Sequence, residues 1–207
     1  LFEANGGVAT YAQLHTVISR KAIESHLKKG DIVRLGRGVY SLGRPDTARR
    51  LAALDLSVGT PVVACMSTAA DLYGFYTEGD QRIHILDPGV RVRPKVGLMV
   101  HQRVGAPLRR VDGRLATTPA WTAIEVARSL RRPRALATLD AALRSGTCTR
   151  AELESASREQ RGRRGVVKVR ELLPFADGRA ESPMESYPSC STRSSIGTDR
   201  CGVLISP

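Results

Sequence analysis

The chain has 207 residues, of which 42% are hydrophobic but only 4% aromatic, and it carries a formal net charge of +12. So few aromatic side chains argue against a base-stacking surface for single-stranded nucleic acid. The excess of Lys and Arg favours a polyanionic partner, because neutralised phosphates release counterions. The alternative is a solvated, Arg-rich surface with no such partner. We recognise no signal peptide and no apolar run long enough to span a bilayer, so we expect a cytoplasmic protein with no membrane contact.

The segment from Val8 to Leu42 predicts a compact unit of two helices and a hairpin. Thr10 is a plausible N-cap for a first helix ending at Val17. Ser19 caps a second helix over residues 20–29, which ends where Gly30 lets the chain turn left-handed. Two short strands, 32–35 and 39–42, follow, and the glycines between them permit the positive φ of a tight turn. The residues expected to face the core of this unit are Ala12, Leu14, Ile23 and Leu27.

The second helix and the hairpin together are typical of a winged helix-turn-helix domain on duplex DNA. An α-helix fits the major groove, and a planar guanidinium on the hairpin suits phosphate or a narrow minor groove. The residues expected to face DNA are Arg20, Lys21, Ser25, Lys28, Arg34 and Arg37. The alternative is a solvated amphipathic helix with ordinary surface charges.

The rest of the chain alternates short strands with amphipathic helices. We expect strands within residues 82–86 and 97–103, and residues 61–65 form either a short strand or the entry to a helix. We expect helices over residues 46–56, 67–73, 120–130, 134–144, 150–158 and 166–174. The predicted fold class is therefore α+β, with an N-terminal winged helix-turn-helix followed by a mixed α/β domain whose C-terminal part is helical.

Few residues point to catalysis or metal binding. Cys65 and Cys148 look like small buried side chains, and no cysteine spacing predicts a zinc site. His15 and His26 are expected to be packed or partly buried, and His84 and His101 lie on strands that could be neighbours. Without carboxylates beside them, a chance pair is favoured over a site. We find no Ser-His-Asp pattern and no phosphate-binding loop, so we expect no enzyme activity and no cofactor.

Two further segments carry charge. The densest basic cluster comprises Arg158, Arg161, Arg163, Arg164, Lys168 and Arg170. It is either a second phosphate contact or a face for an acidic protein partner. Glu181 and Glu185 lie four residues apart, as in some metal-dependent nucleases, but no further acid and Lys complete such a site. The Ser-rich segment after Glu185 is expected to be disordered or loosely attached, either as a natural tail or through a reading-frame change.

The segments GGVATYAQL and SRKAIESHLKKGDIVRLGRGVYSLG resemble the N-terminal winged-helix domain of AbiEi-family antitoxins from type IV toxin–antitoxin systems. STAADLYGF, TTPAWTAIEVAR and LDAALRSGTCTRAEL extend the resemblance through roughly the first 175 residues. ADGRAESPMES is similar to the start of a Vsr-like endonuclease domain of the DUF559 type, truncated here. The chain opens at Leu1, which suggests a first helix cut upstream. The expected domains are residues 1–44 (winged helix-turn-helix), 45–175 (AbiEi-like α/β domain ending in helices) and 176–207 (truncated nuclease-like start and tail).

The resemblance implies an autorepressor that binds inverted repeats in its own promoter, as a homodimer on the DNA. It also implies an antitoxin that opposes a nucleotidyltransferase toxin. Two alternatives stay open at this point. The chain is an inactive remnant of a winged-helix protein with a Vsr-like endonuclease domain, or it is a protein-interaction module whose basic face meets an acidic toxin.

Overall fold

The computed structural model describes residues 1–75, 81–92, 96–102 and 105–179. The helices among them are α1 (Tyr11–His15), α2 (Arg20–Lys29), α3 (Thr47–Val58), α4 (Met66–Leu72), α5 (Pro119–Ser129), α6 (Arg132–Arg144), α7 (Arg150–Glu159) and α8 (Val166–Leu172). The strands among them are β1 (Val8–Thr10), β2 (Ile32–Gly36), β3 (Val39–Leu42), β4 (Ile83–Leu86), β5 (Leu98–His101), β6 (Leu108–Val111) and β7 (Arg114–Thr117). Short 3-10 turns lie at Glu3–Asn5 and Leu173–Phe175. The chain is thus a mixed α+β protein, as predicted.

The two helices and the hairpin of the N-terminal segment form as predicted, whereas strand β1 was not predicted. The Thr10 hydroxyl accepts the main-chain N–H of Gln13, and the Gln13 side chain accepts the main-chain N–H of Thr10, which closes a capping box at the start of α1. The Ser19 hydroxyl accepts the N–H of Ala22, and Gly30 ends α2 at φ 80°. The predicted bounds of α2 and β3 are confirmed, whereas α1 ends two residues before Val17.

Strands β1, β3 and β2 form an antiparallel sheet in that order, with α1 and α2 between β1 and β2 in the chain. Its core contains Ala9, Leu14, Ile23, Ile32 and Tyr40, with Leu27 packed against them. Ala12 is exposed, so the prediction that it faces the core was wrong. Residues two apart on a helix lie about 200° around its axis, so the burial of Leu14 turns Ala12 outward.

Helix α3 packs on both halves of the chain. Ala52 and Ala53 join Val8 and Val39 in a small cluster against the N-terminal sheet. Leu51 and Leu54 on the same helix belong to the main core of the second half. Arg50 also donates from Nη1 to the carbonyl of Gln81 at 2.7 Å. One helix therefore connects the N-terminal sheet to the rest of the structure without an intervening linker.

The second half combines a small sheet with the remaining helices. β4 and β5 pair in parallel, β6 and β7 pair antiparallel, and Ala64 bridges β4 to β7. Helices α4 to α8 pack around one large apolar core that includes Ile85, Ile124 and Leu139. Strands β6 and β7 were not predicted. Among the helices of the described residues, none has the length and apolar content needed to cross a membrane.

Candidate nucleic-acid interface on helix α2 and the β2–β3 hairpin

Helix α2 presents its cations to solvent. Arg20, Lys21, Ser25 and Lys28, the four residues predicted to face DNA from this helix, are all exposed, whereas Ile23 on the opposite side is 2% exposed. Lys21, Ser25 and Lys28 follow one another at spacings of four and three residues, so they form a row along one face of the helix. The helix thus separates an apolar face on the sheet from a cationic row in solvent.

The hairpin formed by β2 and β3 carries the two remaining residues predicted to face DNA, Arg34 and Arg37. Arg34 and Arg37 are both exposed, and Arg34 Nε donates to the carbonyl of Gly36 at 3.3 Å. The register between β2 and β3 shifts between Arg34 and Gly36, and Gly38 takes φ 68° to close the turn. Gly36 does not adopt a positive φ, so only one of the two glycines is needed for its conformational freedom.

Tyr11, the first residue of α1, connects α1 with the hairpin. Its main-chain N–H donates to the carbonyl of Gly38 at 2.7 Å. The pKa of Arg20 is raised, first by its hydrogen bond to Glu24, next by the charge of Glu24, and then by the charge of Tyr11. Helix α2 and the hairpin share one core, in which Ile23 packs with Ile32 and Tyr40. The two predicted cationic elements therefore belong to one packed unit.

Two acidic residues modify the charge of this region. Arg20 Nε lies 3.0 Å from Glu24 Oε1, in a pair whose side chains are 76% and 54% exposed. Such exposed pairs contribute little to stability, so the Arg20 guanidinium is free to exchange Glu24 for a phosphate. At the other end of α2, His26 Nδ1 lies 2.8 Å from Asp31 Oδ2 and ties the helix to β2. His26 is half-buried as predicted, whereas His15 is exposed, contrary to prediction.

His84 and His101 do meet. His84, on β4, is 4% exposed, and its Nδ1 lies 2.8 Å from Nε2 of His101 on the neighbouring strand β5. The two rings stack with centroids 5.1 Å apart. Within the described residues there is no group of three or more His, Cys, Asp and Glu side chains that could hold a metal ion. The pair is thus a contact between two strands rather than part of a recognisable metal site.

The basic cluster near the α7–α8 turn divides into members that make structural contacts and members that are exposed. Arg163 donates to Glu125 Oε1 at 3.1 Å and stacks over the Trp121 ring at 4.7 Å. Lys168 Nζ donates to the carbonyls of Arg128 and Leu130, which end α5. The exposed members are Arg158, Arg161 and Arg164. Sequence alone could not separate these groups, because the structural partners lie about 40 residues away along the chain.

Cys65 and Cys148 are buried, as predicted. Burial raises the pKa of both thiols, to about 12 in Cys148, where the charge of Glu152 adds to the effect. These thiols are therefore poor nucleophiles at neutral pH. The predicted carboxylates Glu181 and Glu185 and the Ser-rich tail lie outside the described residues.

Comparison with known proteins identifies the family. Residues 62–175 match the AbiEi antitoxin C-terminal domain, and residues 1–43 match a family described as a transcriptional regulator, AbiEi antitoxin. Neither match extends into residues 176–207, so the expected start of a Vsr-like domain is not shown.

The chain is also similar to two uncharacterized proteins of Mycobacterium tuberculosis, one from strain CDC 1551 / Oshkosh and one from strain ATCC 25618 / H37Rv. Each is 66% identical over 169 residues, which is 82% of this chain and 62% of the relative. The chain thus spans less than two thirds of the length of these relatives. Both matches name AbiEi antitoxins, and the C-terminal match alone covers more than half of the chain. The chain therefore belongs to the AbiEi antitoxin family.

Proposed function

We propose that this chain is a DNA-binding antitoxin that represses transcription of its own type IV toxin–antitoxin operon. The family descriptions, antitoxin and transcriptional regulator, support the two halves of this role. The order β1, α1, α2, β2, β3, with an antiparallel sheet behind two helices, supports the proposal of a winged helix-turn-helix. In this proposal α2 is the recognition helix and the β2–β3 hairpin is the wing.

One observation carries the DNA-binding half. All six residues predicted from sequence to face DNA are exposed, and α2 and the hairpin share one core through Ile23, Ile32 and Tyr40. Lys21, Ser25 and Lys28 form the row that would enter the major groove. Arg34 and Arg37 would reach a phosphate or the adjacent minor groove from the wing. The net charge of +12 adds attraction that does not depend on base sequence.

Binding to promoter DNA tests this half directly. The duplex is taken from upstream of the gene and contains its inverted repeat, and affinity is measured by fluorescence anisotropy over a range of salt concentrations. We expect Lys21→Ala and Arg37→Ala each to weaken binding and to reduce the slope of log K against log salt by about one. Arg131→Ala removes the same charge from an exposed residue at the start of α6 and serves as the matched control.

Two outcomes would reject the DNA-binding half. The first is the absence of any shift with the upstream duplex at low salt. The second is an equal loss of affinity in Arg131→Ala and in the two α2 and hairpin variants, which would indicate general charge attraction rather than a defined interface.

The antitoxin half is opposition to a nucleotidyltransferase toxin encoded next to the chain. In this role the chain catalyses no reaction and needs no cofactor or metal. It acts in the cytoplasm, where operon DNA lies. Co-expression with the neighbouring toxin should restore growth, and Lys21→Ala should preserve this rescue, because the DNA-facing row and the toxin-opposing function are separate. Loss of rescue by the full chain would reject the antitoxin half alone.

We also propose that two copies bind one inverted repeat as a homodimer on the DNA. A two-fold symmetric repeat offers two equivalent half-sites, and each accepts one recognition helix. Titration of duplexes with one or two half-sites should give one and two bound copies, respectively. A single copy on the complete repeat would contradict this arrangement.

A further inference from the structure

A cavity of about 510 Å³ lies between the C-terminal part of α7, the turn after it, α8 and the last 3-10 turn. It is separate from α2 and the hairpin in sequence and in structure. The residues that line it are Glu154, Ser157, Arg158, Arg161, Arg170, Leu173 and Pro174. A cavity of this size is in the range of sites that bind small ligands or a few side chains of a partner. We refer to it as the α7–α8 cavity.

Two arginines at the α7–α8 cavity differ in their contacts from the neighbouring cations. Neighbouring cations are engaged in structural contacts: Arg150 donates to the carbonyls of Leu173 and Ala176, and Arg132 pairs with Glu171. Within the described part of the chain, by contrast, no residue accepts a hydrogen bond from the guanidinium of Arg158 or Arg161. Both are exposed at the cavity, which leaves their donors available to an anion.

The frame of the cavity is held in place before any ligand binds. Arg170 Nη2 donates to the carbonyl of Ser157 at 2.7 Å and so joins α8 to α7. The two Arg150 hydrogen bonds fix the 3-10 turn that carries Leu173 and Pro174 against α7. A site with a fixed frame loses less conformational entropy on binding than one that must be assembled.

The shape and lining select the kind of partner. Duplex DNA is far wider than a cavity of about 510 Å³ and could touch only its rim, so the interior of the cavity would stay uncovered. A carboxylate fits a guanidinium in the same bidentate way as a phosphate does, and a peptide adds apolar side chains that can cover the exposed Pro174. We propose that the α7–α8 cavity binds an acidic peptide segment of a protein partner, with its carboxylates on Arg158 and Arg161 and an apolar side chain on Pro174.

A direct binding measurement tests this site with the full chain. The probe is a short fluorescein-labelled peptide of alternating Glu and Leu, titrated at about 150 mM salt so that exposed charges are screened. We expect saturable binding that weakens about tenfold in the double variant Arg158→Ala, Arg161→Ala. Glu154→Gln removes the one acid from the lining and should strengthen binding. All three substituted residues are exposed, so the fold is expected to be retained.

Matched controls separate this site from general charge attraction. Arg164→Ala removes an exposed arginine from the same turn that does not line the cavity, and it should leave peptide affinity unchanged. A peptide with Ser in place of Leu should bind more weakly. The proposal is overturned if the natural chain shows no saturable binding, if Arg164→Ala weakens binding as much as the double variant does, or if the Ser peptide binds equally well. It is also overturned if promoter DNA loses as much affinity as the peptide in the double variant, because the cavity would then be a phosphate contact.

Discussion

The main-chain N–H of Tyr11 donates a hydrogen bond of 2.7 Å to the carbonyl of Gly38. Tyr11 is the first residue of α1, and Gly38 lies in the turn of the β2–β3 hairpin at φ 68°. This contact ties the turn of the hairpin, beside Arg37, to the first residue of α1. In the proposed DNA interface it would hold the hairpin in a fixed position relative to the helices.

The conformation of Gly38 predicts a linked loss of stability and DNA affinity. In Gly38→Ala the new Cβ would have ordinary contact with Tyr11, at 3.9 Å, so the cost arises from the positive φ. We expect the free energy of unfolding to fall by about 1 kcal/mol and DNA affinity to fall as the turn shifts. Gly30→Ala, at φ 80° with no atom within 4 Å, carries a similar backbone cost. Urea denaturation and DNA anisotropy on both variants should show similar stability losses but a larger affinity loss for Gly38→Ala; equal affinity losses would contradict the role of the turn.

Removal of the Glu24 charge is expected to increase affinity for promoter DNA. Its carboxylate pairs with Arg20 at 3.0 Å and places a negative charge beside the proposed DNA-facing row. Glu24→Gln removes that charge and releases Arg20 for phosphate, so we expect promoter affinity at low salt to rise by about three- to tenfold. Glu159→Gln, at the end of α7, changes the net charge equally and should raise affinity far less. An unchanged affinity in Glu24→Gln would indicate that this end of α2 does not approach the DNA.

The two glycines of the turn between α7 and α8 predict different tolerances to alanine. Gly162 and Gly165 have φ values of 84° and 85°, so the backbone cost of a Cβ is nearly the same at both. At Gly162 a Cβ would meet nothing within 4 Å, whereas at Gly165 it would overlap the main-chain carbonyl of Arg128. We expect Gly162→Ala to lower the free energy of unfolding by about 1 kcal/mol and Gly165→Ala to cost about 1–3 kcal/mol more. Equal losses in thermal or urea denaturation would mean that the α5–α8 contact relaxes without cost.

The burial of the Glu125 carboxyl is expected to make the stability of the fold depend on pH. Burial raises its pKa above the ordinary value of 4.5, although the charges of Arg128 and Arg163 oppose the shift. An acid with a raised pKa binds its proton more tightly in the folded state, so its contribution to stability grows as pH falls and is lost as pH rises through the folded-state pKa. Compared with Glu125→Gln, the natural chain should therefore gain relative stability between neutral pH and about 4.5. Parallel stability curves in urea denaturation for the two proteins would refute this prediction.

Local signals in the sequence were sufficient for much of the proposed interface. The bounds of α2 follow from Ser19 at its start and Gly30 at its end, and both act within one turn of the helix. The spacing of Ile23 and Leu27 settles which face is buried, and so which cations reach solvent. The exposure of Lys21 and Arg37 could therefore be predicted from sequence.

Pairing between strands decided other features. Strand β6 carries two arginines and has three of its four residues exposed, so no apolar alternation signals it. The local signal for it is the tight turn at Asp112 and Gly113, both at positive φ, which pairs β6 with β7. The meeting of His84 with His101 depends on parallel pairing of β4 with β5, which sequence spacing does not specify.

The amino-acid sequence by itself determined the helix, the hairpin and their exposed cations, because caps, glycines and apolar spacing act over a few residues. Only the tertiary structure decided which arginines between α7 and α8 make structural hydrogen bonds and which remain at the α7–α8 cavity. It alone also joined the hairpin turn to α1 through Tyr11 and Gly38. The physical reason is that a long cationic side chain is used by whichever acceptor the folded chain brings within hydrogen-bonding distance, and that acceptor can lie anywhere in the sequence.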